Sequence, residues 1–212
     1  VGGGRAALLQ LAHPFVAHAV EQHSATRHDA LGRFRRTFDN VFAMVFGDLA
    51  TAECCSRRVH AIHTRIAGEI SEDVGAFRSG GRYDANDDDA LLWVHATLLD
   101  SAVQVFERVV RPLEQREKER YYEESKRFAR LFGISDRVLP ASWPAFALYV
   151  ERMLASDTIK VGRPAREIAG FLFQSPHPAF KPLFRWLRVM TAGLMPVRLR
   201  DEFGLPFGRS ER

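Results

Sequence analysis

The eight histidines are the residues best equipped for chemistry, because imidazole both ligates metal ions and titrates near neutral pH. His60 and His63 share a segment in which Ala52, Cys55, Val59, Ile62 and Ile66 recur at helical spacing. At about 100° per residue, His63 lies roughly 65° from the centre of that apolar stripe and His60 roughly 125°. His63 is therefore expected at the edge of the core and His60 in solvent. The same count puts His95 inside the stripe of a later helix, one turn from Leu91, Leu98 and Leu99, so it is expected to be buried and hydrogen-bonded. His13 precedes Pro14 and is expected at a helix discontinuity, paired with backbone groups there.

A second constellation is Arg33, Arg36, Thr37 and Asn40, at i, i+3, i+4 and i+7 of one helix. Such a polar stripe is ordinarily a solvent face, but beside a largely aromatic flank Arg33 and Thr37 fall near the core boundary, where they can line a cavity. Familiar sites are missing: there is no GxSxG, Walker loop or HExxH, and Gly2, Gly3 and Gly4 precede a helix without a strand. The absence of CxxCH excludes the usual covalent haem attachment. What remains is a helical box with internal histidines, suited to a noncovalent metal or haem site between helices. A nonhaem metal site built from His13, His63 and His95, performing oxidation or hydrolysis, is one alternative. A noncatalytic helical binder of an apolar ligand is the other.

The elements that must position these residues read as helices almost throughout. The first runs from about Arg5 and is interrupted at Pro14. The second opens at Asp29 as N-cap, carries Leu31, Phe34, Phe38, Val41, Phe42 and Val45 as its core stripe, and stops at Gly47. A third, capped by Asp48, ends near Gly68; Arg78 to Asp89 reads as loop. Further helices are expected from about Ala90 to Arg111, over the charged stretch Glu114 to Arg130 with Gly133 as the stop, from Ser142 to Ala155, from Pro164 to Phe173, and from Lys181 to Leu194. The last has Leu183, Trp186, Leu187, Met190 and Leu194 as its inward stripe. The expectation is an all-α, single globular domain over residues 1–212, of about eight helices enclosing an internal cofactor and substrate cavity.

Composition agrees with a packed domain. Of the 212 residues, 46% are hydrophobic and 26% charged, which excludes disordered and collagenous classes. A formal net charge of +4 is a weak electrostatic footprint, so nucleic acid is not expected as a partner. The two cysteines, Cys54 and Cys55, are adjacent and form neither a long-range disulfide framework nor a zinc motif, which fits a reducing compartment, cytoplasmic by default. No apolar run is long enough for a transmembrane segment. The chain starts at Val1 with no signal-peptide pattern, so the natural N-terminus is expected upstream. Composition leaves the oligomeric state open.

The ordered strings GGGRAALLQLAHPFVAHAVEQHS, RFRRT, FGD, VHAIHTRIAG and YDANDDDALLWVHATL, followed by a late helical region ending in PFGRS, span nearly the whole chain. Together they resemble the catalytic domain of the MpaB and rubber oxygenase (latex clearing protein) family. The resemblance implies an all-helical oxygenase that binds b-type haem through a histidine and uses O2 to cleave carbon–carbon double bonds in an apolar, isoprenoid-like substrate. By position it implies His63 as the haem iron ligand and Arg33 and Thr37 as residues lining the haem pocket. Arg36 falls where the rubber oxygenase has a lysine able to take the distal iron position; a guanidinium stays protonated and is a poor ligand, so a lysine-capped resting state is not expected here. The family's catalytic carboxylate has no secure counterpart, Glu21 being the nearest candidate.

Overall fold

Proline and glycine set the boundaries of the first elements. The computed structural model describes residues 2–23, 30–175 and 177–208; the side chains of residues 30, 31 and 33–36 lie outside that description. Helix α1 (Gly2–Leu11) ends just before Pro14, which opens α2 (Pro14–His23), because proline lacks the donor an uninterrupted helix needs. Next come α3 (Ala30–Phe46) and α4 (Leu49–His63). Asp48 caps α4 as its sequence position suggests, its carboxylate accepting from the Thr51 amide at 2.7 Å. The expected N-cap of α3, Asp29, lies outside the described residues.

After His63 the chain leaves the helix earlier than the Gly68 signal implies. It forms β1 (Ala67–Glu69), which pairs antiparallel with β2 (Arg82–Asp84), Gly68 facing Tyr83. A Cβ at Gly68 would come within 2.6 Å of the Tyr83 hydroxyl, so this glycine serves close packing across the ladder instead of a helix stop. Strand β2 thus lies inside the stretch Arg78 to Asp89 that the sequence reads as loop: three-residue strands are too short to show alternation.

The remaining helices are α5 (Asp88–Val109), α6 (Gln115–Leu131), α7 (Trp143–Ala155), α8 (Arg163–Leu172), α9 (Lys181–Leu194) and α10 (Val197–Glu202). The described residues thus form ten helices, more than the eight read from sequence, because Pro14 splits the first and the six-residue α10 follows α9. The class is all-α as expected. Gly133 stops α6 with φ +91°, a conformation that only glycine adopts without strain.

The core is built around α1 and α5, which pack extensively on one another. Leu8, Leu9 and Trp93 are fully buried, and the Trp93 indole donates to the Leu9 carbonyl at 2.8 Å, so the largest core side chain has its one polar atom satisfied. Arg5 is buried in the same interface, paired with Asp100 at 2.7 Å and donating to Ser101 Oγ and the Leu194 carbonyl. It ties α1 to α5 and to the end of α9.

Two expected core stripes point elsewhere. On α3, Phe38, Phe42 and Val45 are at least half exposed, while Val41 and Met44 turn inward. On α9, Leu183, Trp186 and Met190 are exposed, and only Thr191 and Ala192 are buried. Periodicity fixes which side chains share a face; what covers that face is decided by neighbouring elements. Among the described residues no helix is long and apolar enough to cross a membrane.

Candidate functional site

Helices α2, α3, α4 and α5 leave a cleft of about 360 Å3 between them, closed partly by Tyr83 of β2 and by Phe132 just after α6. It is partly open to the surface. Thr37, Val41 and Met44 line it from α3, His63 from the last position of α4, and Leu91 and Val94 from α5. A second, more apolar cavity of about 200 Å3 adjoins it. Gln10, Val16, Val20, Thr37 and Val41 line both spaces, so Thr37 and Val41 stand at the partition. The polar stripe of α3, read from sequence as a possible cavity lining, is thus in part its cleft face.

His63 is half-buried. Its ring stands edge-on to Phe132, with centroids 5.9 Å apart and planes at 84°. Burial holds its pKa below the ordinary value, repulsion from His60 adds to this, and the Asp84 carboxylate opposes both. The imidazole is therefore neutral near pH 7. Among the described residues nothing hydrogen-bonds to this ring. A neutral, unengaged nitrogen facing a cleft is the state in which imidazole ligates metals. The middle of α4, about two turns before His63, is tied to the end of α6 by the Ser56 hydroxyl, which donates to the Leu131 carbonyl. His60, three residues before His63, is exposed, as its angular position implies.

Arg33 and Arg36 lie on α3, one turn and one residue before Thr37; their side chains lie outside the described residues. Asn40, the last member of that stripe, lines the cleft and accepts from Arg58 Nη2 at 2.8 Å.

The other histidines fall into different roles. His13 is buried at the break between α1 and α2, where its Nδ1 accepts from the Phe15 amide at 3.2 Å, the backbone pairing anticipated for it. Burial lowers its pKa to about 4. His95 is fully buried, as its stripe predicts, with its pKa also lowered to about 4 by burial. The expectation that it is hydrogen-bonded is corrected: both ring nitrogens lack a partner among the described residues, and the ring stacks on Phe128 at 5.7 Å. His18, which sequence reasoning did not single out, is fully buried; its Nδ1 donates to the Pro14 carbonyl at 2.9 Å and its Nε2 has no partner among the described residues. The signal for it was its place four residues after the helix-opening proline.

No three of the His, Cys, Asp and Glu side chains among the described residues come together as a metal-holding group. The site of His13, His63 and His95 read as one alternative is therefore not assembled: the three occupy separate surroundings, and only His63 lines the cleft. Glu21, the candidate carboxylate, lines neither cavity and pairs with Arg163 at 2.9 Å. Gln10 was missed because it sits in the apolar second half of α1; its amide donates to Thr97 Oγ1 at 3.1 Å while it faces both cavities.

The family model described as ER-bound oxygenase mpaB/B′/rubber oxygenase, catalytic domain, matches residues 1–212. Comparison with curated proteins and with solved structures gave no match.

Proposed function

Because the chain belongs to the MpaB and rubber oxygenase catalytic-domain family, we propose that it is a b-type haem-dependent oxygenase acting with O2 on an apolar, olefinic, isoprenoid-like substrate. The observation that carries the reading is His63: of the two histidines that line the mainly apolar cleft, His23 has its Nε2 engaged with the Ala67 carbonyl at 3.1 Å, whereas His63 is neutral and free of hydrogen bonds among the described residues. A bare metal ion needs three or four protein ligands, and the described residues gather no such set. A haem brings four nitrogens of its own and asks the protein for one axial ligand. The donor set therefore fits haem.

In this reading His63 holds the iron, and Phe132 keeps the imidazole from rotating. Haem, when bound, supplies a redox-active iron that activates O2 for addition across a carbon–carbon double bond, giving two carbonyl products. Thr37 offers a hydroxyl at the wall shared by the two cavities. Arg33, by its place one turn earlier, is assigned to offset negative charge that develops on oxygen. Arg36 is assigned to the cofactor's surroundings without ligating the iron, since guanidinium keeps its proton. Val41, Met44, Leu91 and Val94 exclude water and receive the apolar chain.

The test is spectroscopic. Purified protein supplied with haem is expected to show an intense Soret band that His63→Ala removes or shifts and His60→Ala leaves nearly unchanged. A Soret band lost with His60→Ala and kept with His63→Ala would overturn the ligand assignment. Failure of the folded wild type to take up haem would sink the oxygenase reading.

A further inference from the structure

Helix α9 shows a feature that the cleft does not explain. Leu183, Trp186, Leu187, Met190 and Leu194 follow one another at i, i+3, i+4, i+7 and i+11 and form a single apolar stripe. Thr191 and Ala192, the only buried residues of α9, lie off that stripe and anchor the C-terminal end to the body. Much of the stripe is turned outward: Leu183 is 49% and Trp186 50% exposed and Met190 is exposed too, Leu187 and Leu194 are half-buried, and Phe180 and Val197 are exposed at either end. Roughly 160° around the helix from the stripe lie Lys181, Arg185 and Arg188, all exposed and none in an ion pair among the described residues. Arg198 and Arg200, just beyond α9, pair with Glu202 and Asp201, which leaves Lys181, Arg185 and Arg188 as the local surplus of positive charge.

We infer that the outward face of α9 docks on the surface of an anionic lipid bilayer. An amphipathic helix with Trp, Phe and Leu on one side and Lys and Arg on the other partitions into the headgroup boundary. A local surplus of positive charge draws it to anionic lipid. With 14 residues, α9 is about 21 Å long, too short for a hydrocarbon core of roughly 30 Å. It therefore lies in the interface plane. Trp186 sits at one edge of the stripe, where an indole can bury its ring and leave its N–H among the headgroups. A protein partner of ordinary composition would meet the apolar stripe equally well but would leave the unpaired Lys181, Arg185 and Arg188 without a counterpart. The inference stands apart from the oxygenase reading and does not depend on haem.

The experiment uses the full chain and vesicles of phosphatidylcholine mixed with phosphatidylserine, against vesicles of phosphatidylcholine alone. Trp93 is fully buried and Trp143 nearly so, so a change in tryptophan emission on adding vesicles reports Trp186. Co-sedimentation with the mixed vesicles and a blue shift of emission are expected, both weaker with phosphatidylcholine alone. The double variant Arg185→Glu, Arg188→Glu should weaken binding roughly tenfold or more, and added salt should do the same. Trp186→Ser should lose the emission shift and bind more weakly with an unchanged far-ultraviolet circular dichroism spectrum. Leu183→Ser serves the same purpose should that variant not fold. Absence of both co-sedimentation and shift with either vesicle would overturn the inference, as would binding indifferent to the charge-reversal variant. A dimer that shields Trp186 from acrylamide, with no vesicle binding, would give the surface to a second copy instead.

Discussion

The His63 ring meets Phe132 edge-on at 5.9 Å, and Phe132 continues into a stack with Phe128 at 5.8 Å and from there with His95 at 5.7 Å. One aromatic run thus joins the half-buried histidine of the cleft to the fully buried histidine of α5. Edge-to-face pairs contribute about 1 kcal/mol beyond their area, and here that energy selects one orientation of the imidazole. Phe132→Ala is expected to weaken haem retention severalfold, up to about tenfold, and to broaden the Soret band, while Phe132→Tyr retains both. Haem titrations of the two variants check this; equal affinity for Phe132→Ala and wild type would deny Phe132 its positioning role.

The buried histidines set an acid limit on the fold. His13 and His95 have folded-state pKa values of about 4, against about 6.5 in an unfolded chain. The unfolded state therefore binds more protons between these values, so stability is fully present above pH 6.5 and falls as pH drops toward 4. Each histidine then withdraws about 3 kcal/mol over that window. His95→Leu is expected to move the acid transition to lower pH. At pH 7 it should be neutral or stabilising by about 1 kcal/mol, because it removes two ring nitrogens that lack partners among the described residues. Denaturant midpoints at pH 7 and pH 5 measure both effects; a loss of more than about 2 kcal/mol at pH 7 would mean that the ring has partners beyond the described residues.

Most helix boundaries were legible because they rest on local chemistry: Pro14, Asp48, Ser142 and Gly133 act where they stand in the chain. His63 and His95 were placed correctly in depth by angular position alone. The outward stripes of α3 and α9 were misplaced for one shared reason. Phe38 and Trp186 belong to strong apolar faces, and nothing within a single helix tells whether another helix arrives to cover them. The cleft was legible only in part: Thr37 stands on the polar stripe read as a cavity lining, but Gln10, Tyr83 and Phe132 come from separate elements and meet it only through tertiary packing.

Arg5 gives a structural prediction away from the cleft. Its guanidinium is buried with Asp100, Ser101 and the Leu194 carbonyl around it, and removing one partner of a buried pair strands the other charge. Arg5→Met is expected to cost about 3–5 kcal/mol. The double variant Arg5→Met, Asp100→Leu should recover much of that loss, since it leaves no uncompensated charge. Thermal unfolding of the two variants distinguishes a buried pair from a surface one: a loss below about 1 kcal/mol for Arg5→Met would place the arginine in solvent.

Thr37 allows the cleft chemistry to be separated from the cleft shape. It lines both cavities, so its size governs the partition between them and its hydroxyl governs what can be hydrogen-bonded there. Thr37→Val keeps the volume and removes the hydroxyl. If the hydroxyl orients oxygen or substrate in the transition state, turnover should fall about 10- to 100-fold, the range for losing one positioned hydrogen bond, with haem binding unchanged. Thr37→Ser keeps the hydroxyl and opens the partition by one methyl; it should hold turnover near the wild-type value and broaden the range of chain lengths accepted. Steady-state rates with a series of isoprenoid chains, together with haem titrations, read these effects independently. Wild-type turnover in Thr37→Val with reduced turnover in Thr37→Ser would show that the side chain acts through its shape alone.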